Sequence, residues 1–334
     1  MATTQMGGEK LTLYEVAKRT NNGAVLTISE VLSRVEEWLM DAVWVPANNF
    51  GTHIHNRRLT LPTGTWRKQN YGAAIESSVT KQVTENIGRL EAWSQIDEDV
   101  LGTLLGDQAA FRNSEDMAFI MGLGQTLGTA LMTSDTTTDP EKFDGLNCRL
   151  NALTSSDATV LNCKSAGGSG SDLTSVYFVQ WDPNYVHMIY QPDVGAPSQG
   201  SPVKFKDHGL ETIVDAGGGL FTGYRSQFVV TAGLAIHDDR CVGRLANIED
   251  DVSGANIFEP DLAIEILNNM FSRGKGTIMY AHQKVLSQLD VMAMDKANVM
   301  YNTQNLWGEP VTFFRGNVPI RQFDGITITQ SAVA

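Results

Sequence analysis

The sequence predicts a mixed α+β fold without the regular strand–helix–strand alternation of a doubly wound sheet. Three observations carry that expectation. Residues alternate at His53-Ile54-His55 and Leu59-Thr60-Leu61, a long helical stretch covers Phe111 to Met132, and strand-like runs in the middle third give way to helical stripes in the last third. A length of 334 residues accommodates about two domains at roughly 150 residues each. With 42% hydrophobic and 19% charged residues, the chain has enough apolar material for packed cores, which excludes wholesale disorder.

Taken in order, the first element is a helix that opens at a capping-box pair, Thr27 and Glu30. Ile28, Val31, Leu32, Val35, Trp38 and Leu39 follow at helical spacing, and Pro46 ends the segment. Such a helix packs either on its own core or, as an arm, on a neighbouring subunit. Extended chain follows from Thr52, with a turn signal at Pro62-Thr63-Gly64 ahead of Trp66-Arg67-Lys68. In the helix at Phe111 to Met132, Glu115 and Asp116 lie near the start, where acids suit the dipole. Its interior holds Gly122, Gly124 and Gly128, each costing about 0.8–1 kcal/mol relative to Ala. A cost of that size calls for a return, such as close approach by a neighbouring backbone, which is compatible with a buried core helix.

Further on, Ser175 to Gln180 and Tyr185 to Tyr190 read as strands around an Asp182-Pro183-Asn184 turn, and Phe228 to Ile236 and Cys241 to Ala246 as two more. Asp261 to Arg273 carries the stripe Leu262, Ile266, Leu267 and Met270 after Pro260, and Gly274 stops it. Ala281 to Lys296 is a second helix, and Val311 to Thr329 returns to short strands.

Charge divides unevenly. The chain carries a net −13, yet His53 to Thr84 carries +4 and Glu85 to Met117 carries −6. A strongly acidic protein lacks the basic footprint of a nucleic-acid binder. A basic extended segment beside an acidic body favours self-association through opposite potentials. Cys148, Cys163 and Cys241 are too few and too far apart for a disulfide scaffold or a zinc knuckle, so free thiols in a reducing compartment are expected. The opening residues, Met1 to Lys10, lack the apolar core of a signal peptide, and no membrane partner is expected.

Tests for catalysis fail one by one. The Arg273-Gly274-Lys275-Gly276-Thr277 stretch has Asn269 where a phosphate-binding loop needs its first glycine, and a glycine follows the lysine. His53 and His55 would share one strand face, a two-ligand edge that no neighbouring acid completes. His237-Asp238-Asp239 reads as a solvated strand end or an acid–base cluster, and His187 as a core residue. No cofactor or metal is expected from these patterns.

Six segments in order resemble the major capsid proteins of tailed bacteriophages, of the short-tailed podovirus type that is epsilon15-like and Bordetella-phage-like. They are Leu61 to Tyr71; the Phe111 to Met132 helix with Pro140 to Leu146; Val176 to Asn184 with His187; Gly233 to Ile236 with Arg240, Arg244 and Ala246 to Ile248; Ala293 to Asn298; and Pro310 to Thr312 with Pro319 to Arg321. The resemblance runs from about Val25 to the C-terminus. It implies the Hong Kong 97-type capsid fold. Residues 1–50 would form an N-terminal arm, 51–85 the E-loop, 86–145 a P-domain with spine helix 111–132, and 146–334 an A-domain together with P-domain strands. The segment Trp307 to Val311 follows the strands at Val176 to Ile248, whereas in common members its counterpart precedes them, so a permuted core connectivity is expected.

The function so implied is self-assembly into the hexamers and pentamers of an icosahedral head enclosing double-stranded DNA, without catalysis. Expected partners are other copies of the chain, a separate scaffolding protein, a portal protein and a decoration or cement protein, with packaged DNA touched only weakly. The location is the virion, and the host cytoplasm during assembly. Arg57, Arg58, Trp66, Arg67 and Lys68 are the expected E-loop contacts between subunits, since Trp and Arg are common interface anchors. Gly122, Gly124 and Gly128 are the expected packing positions of the spine helix. The alternatives are a virion decoration or tail structural protein, and a hydrolase using His237 and Asp238.

Overall fold

The computed structural model describes residues 20–21, 24–25, 37–102, 108–153, 162–193, 201–214, 217–251, 254–294, 313–315 and 317–334. Most of the helix expected from Thr27, and the Trp307 to Val311 segment on which the permuted connectivity rests, lie outside these residues. Fifteen strands and six helices occur among the described residues. The strands are β1 (Thr20–Asn21), β2 (Ala24–Val25), β3 (Trp44–Pro46), β4 (Thr52–Thr60), β5 (Val79–Asn86), β6 (Gly88–Asp97), β7 (Cys163–Ser165), β8 (Leu173–Val179), β9 (Val186–Tyr190), β10 (Val203–Val214), β11 (Leu220–Ile236), β12 (Val242–Glu249), β13 (Ile278–Ala281), β14 (Phe313–Phe314) and β15 (Val318–Gln322). The helices are α1 (Trp38–Asp41), α2 (Glu98–Gly102), α3 (Gln108–Thr133), α4 (Leu146–Arg149), α5 (Pro260–Asn269) and α6 (Gln283–Met294). No helix among the described residues is long and apolar enough to cross a membrane.

The chain forms two compact units. The first joins 89–127 with 202–231 and takes in β1 and β2. Its described parts are β6, α2, most of α3 and the antiparallel pair β10–β11, in which Val203 opposes Val230 and Val214 opposes Leu220. A small core of Ile96, Val100, Leu101 and Phe111 receives Tyr224. Arg112 lies over the Tyr224 ring at 4.7 Å and bonds Asp207 at 2.8 Å. Gly223 passes so close to the Ile96 carbonyl that a Cβ there would meet it at 2.7 Å.

The second unit holds 36–88, 128–201 and 232–334. Its centre is a six-stranded mixed sheet in the order β14-β15-β13-β8-β12-β7. Every residue of β8 is buried, as expected of a strand that lies inside a sheet with both faces covered. One core packs α5 and α6 on this sheet: Ile266, Leu267, Val285 and Leu289 meet Val176, Phe178, Leu245 and Met279. A second set of strands aligns the end of β11 antiparallel to β9, and β9 parallel to β3. Among the described residues, β4 and β5 form a separate two-stranded sheet.

Several boundaries differ from expectation for physical reasons. The helix expected from Ala281 begins at Gln283, because Ile278 to Ala281 is a sheet strand paired to β8 and β15. The helix expected to reach Arg273 ends at Asn269. A tight turn follows, with Ser272 and Arg273 both at positive φ, which no α-helix sustains. The strand expected from Phe228 begins eight residues earlier, at Leu220, because β10 pairs it along that whole length.

Candidate assembly surface

The hairpin β4–β5 has a fastened root and a free tip, both built from the second unit. A two-stranded ribbon is marginal in water on its own. This one is therefore held by bonds at its base. Asn48 clamps the start of β4, its Nδ2 donating to the Ile54 carbonyl at 2.6 Å and its Oδ1 accepting from the Ile54 amide at 2.8 Å. On β5, Glu85 is 3% exposed and receives both terminal nitrogens of Arg149, at 3.0 and 2.6 Å. Arg149 also donates to the Leu234 carbonyl at 3.2 Å.

Arg57, one of the expected contacts between subunits, is bonded within its own chain at this root. Its Nη1 reaches both carboxylate oxygens of Asp239, at 2.8 and 2.7 Å, and its Nη2 donates to the Ile236 carbonyl. A guanidinium so engaged has little left to offer a neighbouring chain. Sequence reading could not see this bond, since the partners are 182 residues apart.

Beyond the root, every residue from Arg58 to Gln82 is exposed. The tip keeps a shape of its own. Glu76 accepts from the amides of Thr63 and Gly64 at 2.8 and 2.9 Å, and Arg67 donates to the Tyr71 carbonyl at 3.3 Å. It buries nothing, however. Trp66 is 106% exposed and Ile75 101%, with Leu59, Leu61, Tyr71 and Val79 exposed as well. A cluster of large apolar side chains in full contact with water marks an interaction surface. Arg58, Arg67, Lys68 and Lys81 are exposed on the same hairpin. The tip thus offers both apolar and positively charged side chains to a partner.

The three glycines of α3 differ. Gly122 is exposed with nothing within 4 Å of where a Cβ would stand. Gly124 is half-buried. Gly128 is buried, and Gly325 comes so close that a Cβ on it would sit 2.9 Å from the Gly128 backbone carbon. The side chain whose absence permits this approach is that of Gly325, which lies against the backbone of α3.

The acid–base candidates of the sequence are spoken for. Asp238 accepts from the Arg240 amide and guanidinium at 2.7–3.2 Å, and its carboxyl is held below the usual range chiefly by that side chain. Asp239 holds Arg57. Sequence reading paired His53 with His55 but kept His187 and His237 apart from them, whereas the fold gathers all four at the hairpin root. One ring nitrogen from each of His53, His55 and His237 lies within 4.8 Å of the others, a set that can hold a metal ion.

Comparisons with known proteins give the family and the fold. The family model described as major capsid protein GP7 matches residues 20–334. No curated protein sequence matches the chain. A chain of the near-atomic cryo-electron microscopy structure of bacteriophage Epsilon15 is similar over 99% of both chains, at 25% identity and a TM-score of 0.73. The bacteriophage JBD30 capsid is similar over 89% of this chain and 93% of that one, at 9% identity and a TM-score of 0.52, a likeness of fold alone.

Proposed function

The chain belongs to the major capsid protein GP7 family, and from that premise we propose that its hairpin tip is the arm by which one subunit grips the next. The protein is a phage major capsid protein with the Hong Kong 97-type fold; it self-associates in the capsid lattice and resides in the virion. The arm, residues 58–82, reaches onto the acidic surface of a neighbouring subunit, with Trp66 as its apolar contact and Arg58, Arg67 and Lys68 as its charged ones. The observation that carries this reading is full exposure of Trp66 and Ile75 on a tip with internally bonded backbone. A soluble monomer gains nothing from such a surface, whereas a lattice buries it.

The wider reading follows the same physics. Subunits assemble as hexamers and pentamers around double-stranded DNA, in the host cytoplasm, with a separate scaffolding protein, a portal protein and a decoration protein. A wall of net charge −13 touches packaged DNA weakly, because affinity for the phosphate backbone comes from basic contacts. The first unit, with most of α3 and the β10–β11 hairpin, serves as the peripheral domain; the six-stranded sheet with α5 and α6 serves as the axial one. The role in this reading is structural, without catalysis; of the two hydrolase candidates, Asp238 is paired with Arg240 at 2.7 Å.

The test replaces Trp66 and Arg67 together with Ala. Both lie on a tip that supports no core, so the variant should fold with unchanged thermal stability. Its yield of closed shells should collapse relative to the wild type. Shells at wild-type yield and stability would remove the arm from the assembly mechanism.

A further inference from the structure

Four of the chain's six histidines converge at the hairpin root. His53 and His55 project from one face of β4, His187 from β9, and His237 directly follows β11. The His55 and His237 rings stack at 4.2 Å and 8°, and His187 lies 5.0 Å and His53 5.8 Å from His237. Except for half-buried His237, these residues are buried. Yet the buried nitrogens Nδ1 of His53, His55 and His187, and Nε2 of His187 and His237, have no hydrogen-bond partner. Buried polar atoms are nearly always satisfied, so five orphaned nitrogens in one cluster ask for an explanation.

We propose that His53, His55 and His237 bind one divalent transition-metal ion of the zinc type, fastening the root of the arm to the body of its own chain. The donor set selects the ion: imidazole nitrogens without a free carboxylate suit zinc and its neighbours, whereas magnesium and calcium require oxygen. One bond nearby must give way: Arg57 Nε donates to His55 Nε2 at 3.3 Å, so binding at His55 displaces it, while the guanidinium stays paired with Asp239. Zinc–nitrogen bonds of about 2.0–2.1 Å place tetrahedral ligand atoms about 3.4 Å apart. Closing from within 4.8 Å requires the stacked rings to turn edge-on to the ion. His187 packs beside the set, its ring 5.0 Å from that of His237.

This inference stands independently of the arm's role in assembly, and so does its test. Untagged full-length protein stripped with a chelator is titrated with zinc by calorimetry, and with cobalt(II) by visible absorption. One ion per chain and the absorption bands of tetrahedral cobalt are expected. Both should be lost in His237→Asn and His53→Asn and retained in His208→Asn, whose ring lies outside the cluster. X-ray absorption of the zinc-loaded wild type covers the case of a variant that fails to fold, and should show a shell of imidazole nitrogens. No stoichiometric uptake, equal uptake by the cluster variants, or a shell containing sulfur would overturn the proposal.

Discussion

At the scale of single residues, the hairpin root rests on buried charge. Glu85 and Arg149 are nearly withdrawn from water, with side-chain exposures of 4% and 17%. Removing one partner of such a pair costs about 3–5 kcal/mol because the other charge stays buried and alone. Arg149→Met should therefore lower unfolding stability by that amount in urea titrations. A loss below about 1 kcal/mol would mean that Glu85 escapes to water when unpaired. The thiols make a second test. Burial raises Cys148 to about 11 and Cys241 to about 12, from an ordinary 9.0. At pH 8, Cys148 then carries about a hundredfold less thiolate than an exposed cysteine, and alkylation should be slow until the protein is denatured. Rapid labelling of folded chains would contradict that burial.

Elements show what was legible in the sequence and what was not. The Phe111 to Met132 stretch is a helix, extended at both ends to Gln108–Thr133, because a long run of helix-compatible residues declares itself locally. By contrast, nothing in the reading marked Val203–Val214 as a strand. Its alternation begins at Val203-Lys204-Phe205-Lys206 and is then broken by a register shift between Asp207 and Gly209. A bulge of that kind moves later side chains to the opposite face and erases the period-two pattern. The +4 segment was legible as an extended hairpin, but Arg57 was not legible as part of its root, because its bond is made across distant sequence. The histidine cluster was hidden for the same reason: two members lie on one strand and two arrive from elsewhere.

The glycines of α3 separate an element's own stability from its use by neighbours. Gly122 is an exposed helical position with open space around it. Gly122→Ala should stabilise the isolated chain by about 0.8–1 kcal/mol, read from thermal or urea unfolding. The same variant should assemble less well if a neighbouring subunit approaches that face; assembly at wild-type yield would take Gly122 out of the interface. Gly325→Ala should act in the opposite sense. Its new methyl would press on the Gly128 backbone at 2.9 Å, and overpacking of this kind costs about 1–3 kcal/mol.

For the whole molecule, charge and exposed apolar surface point the same way. On the proposed reading, an arm carrying Arg58, Arg67, Lys68 and Lys81 on an otherwise acidic chain draws subunits together through opposite potentials. Screening shortens that attraction, with a Debye length of about 10 Å at 0.1 M salt and about 3 Å at 1 M. The rate of shell formation, followed by light scattering, should therefore fall as salt rises. A rate indifferent to salt would assign the arm's grip to its apolar residues alone.

The most direct measurement is a cryo-electron microscopy reconstruction of the particles that the chain forms. The account predicts closed shells in which residues 61–78 lie on an adjacent subunit and the Trp66 ring is buried there. Shells in which the tip folds back on its own chain, or projects into solvent with Trp66 uncovered, would contradict it.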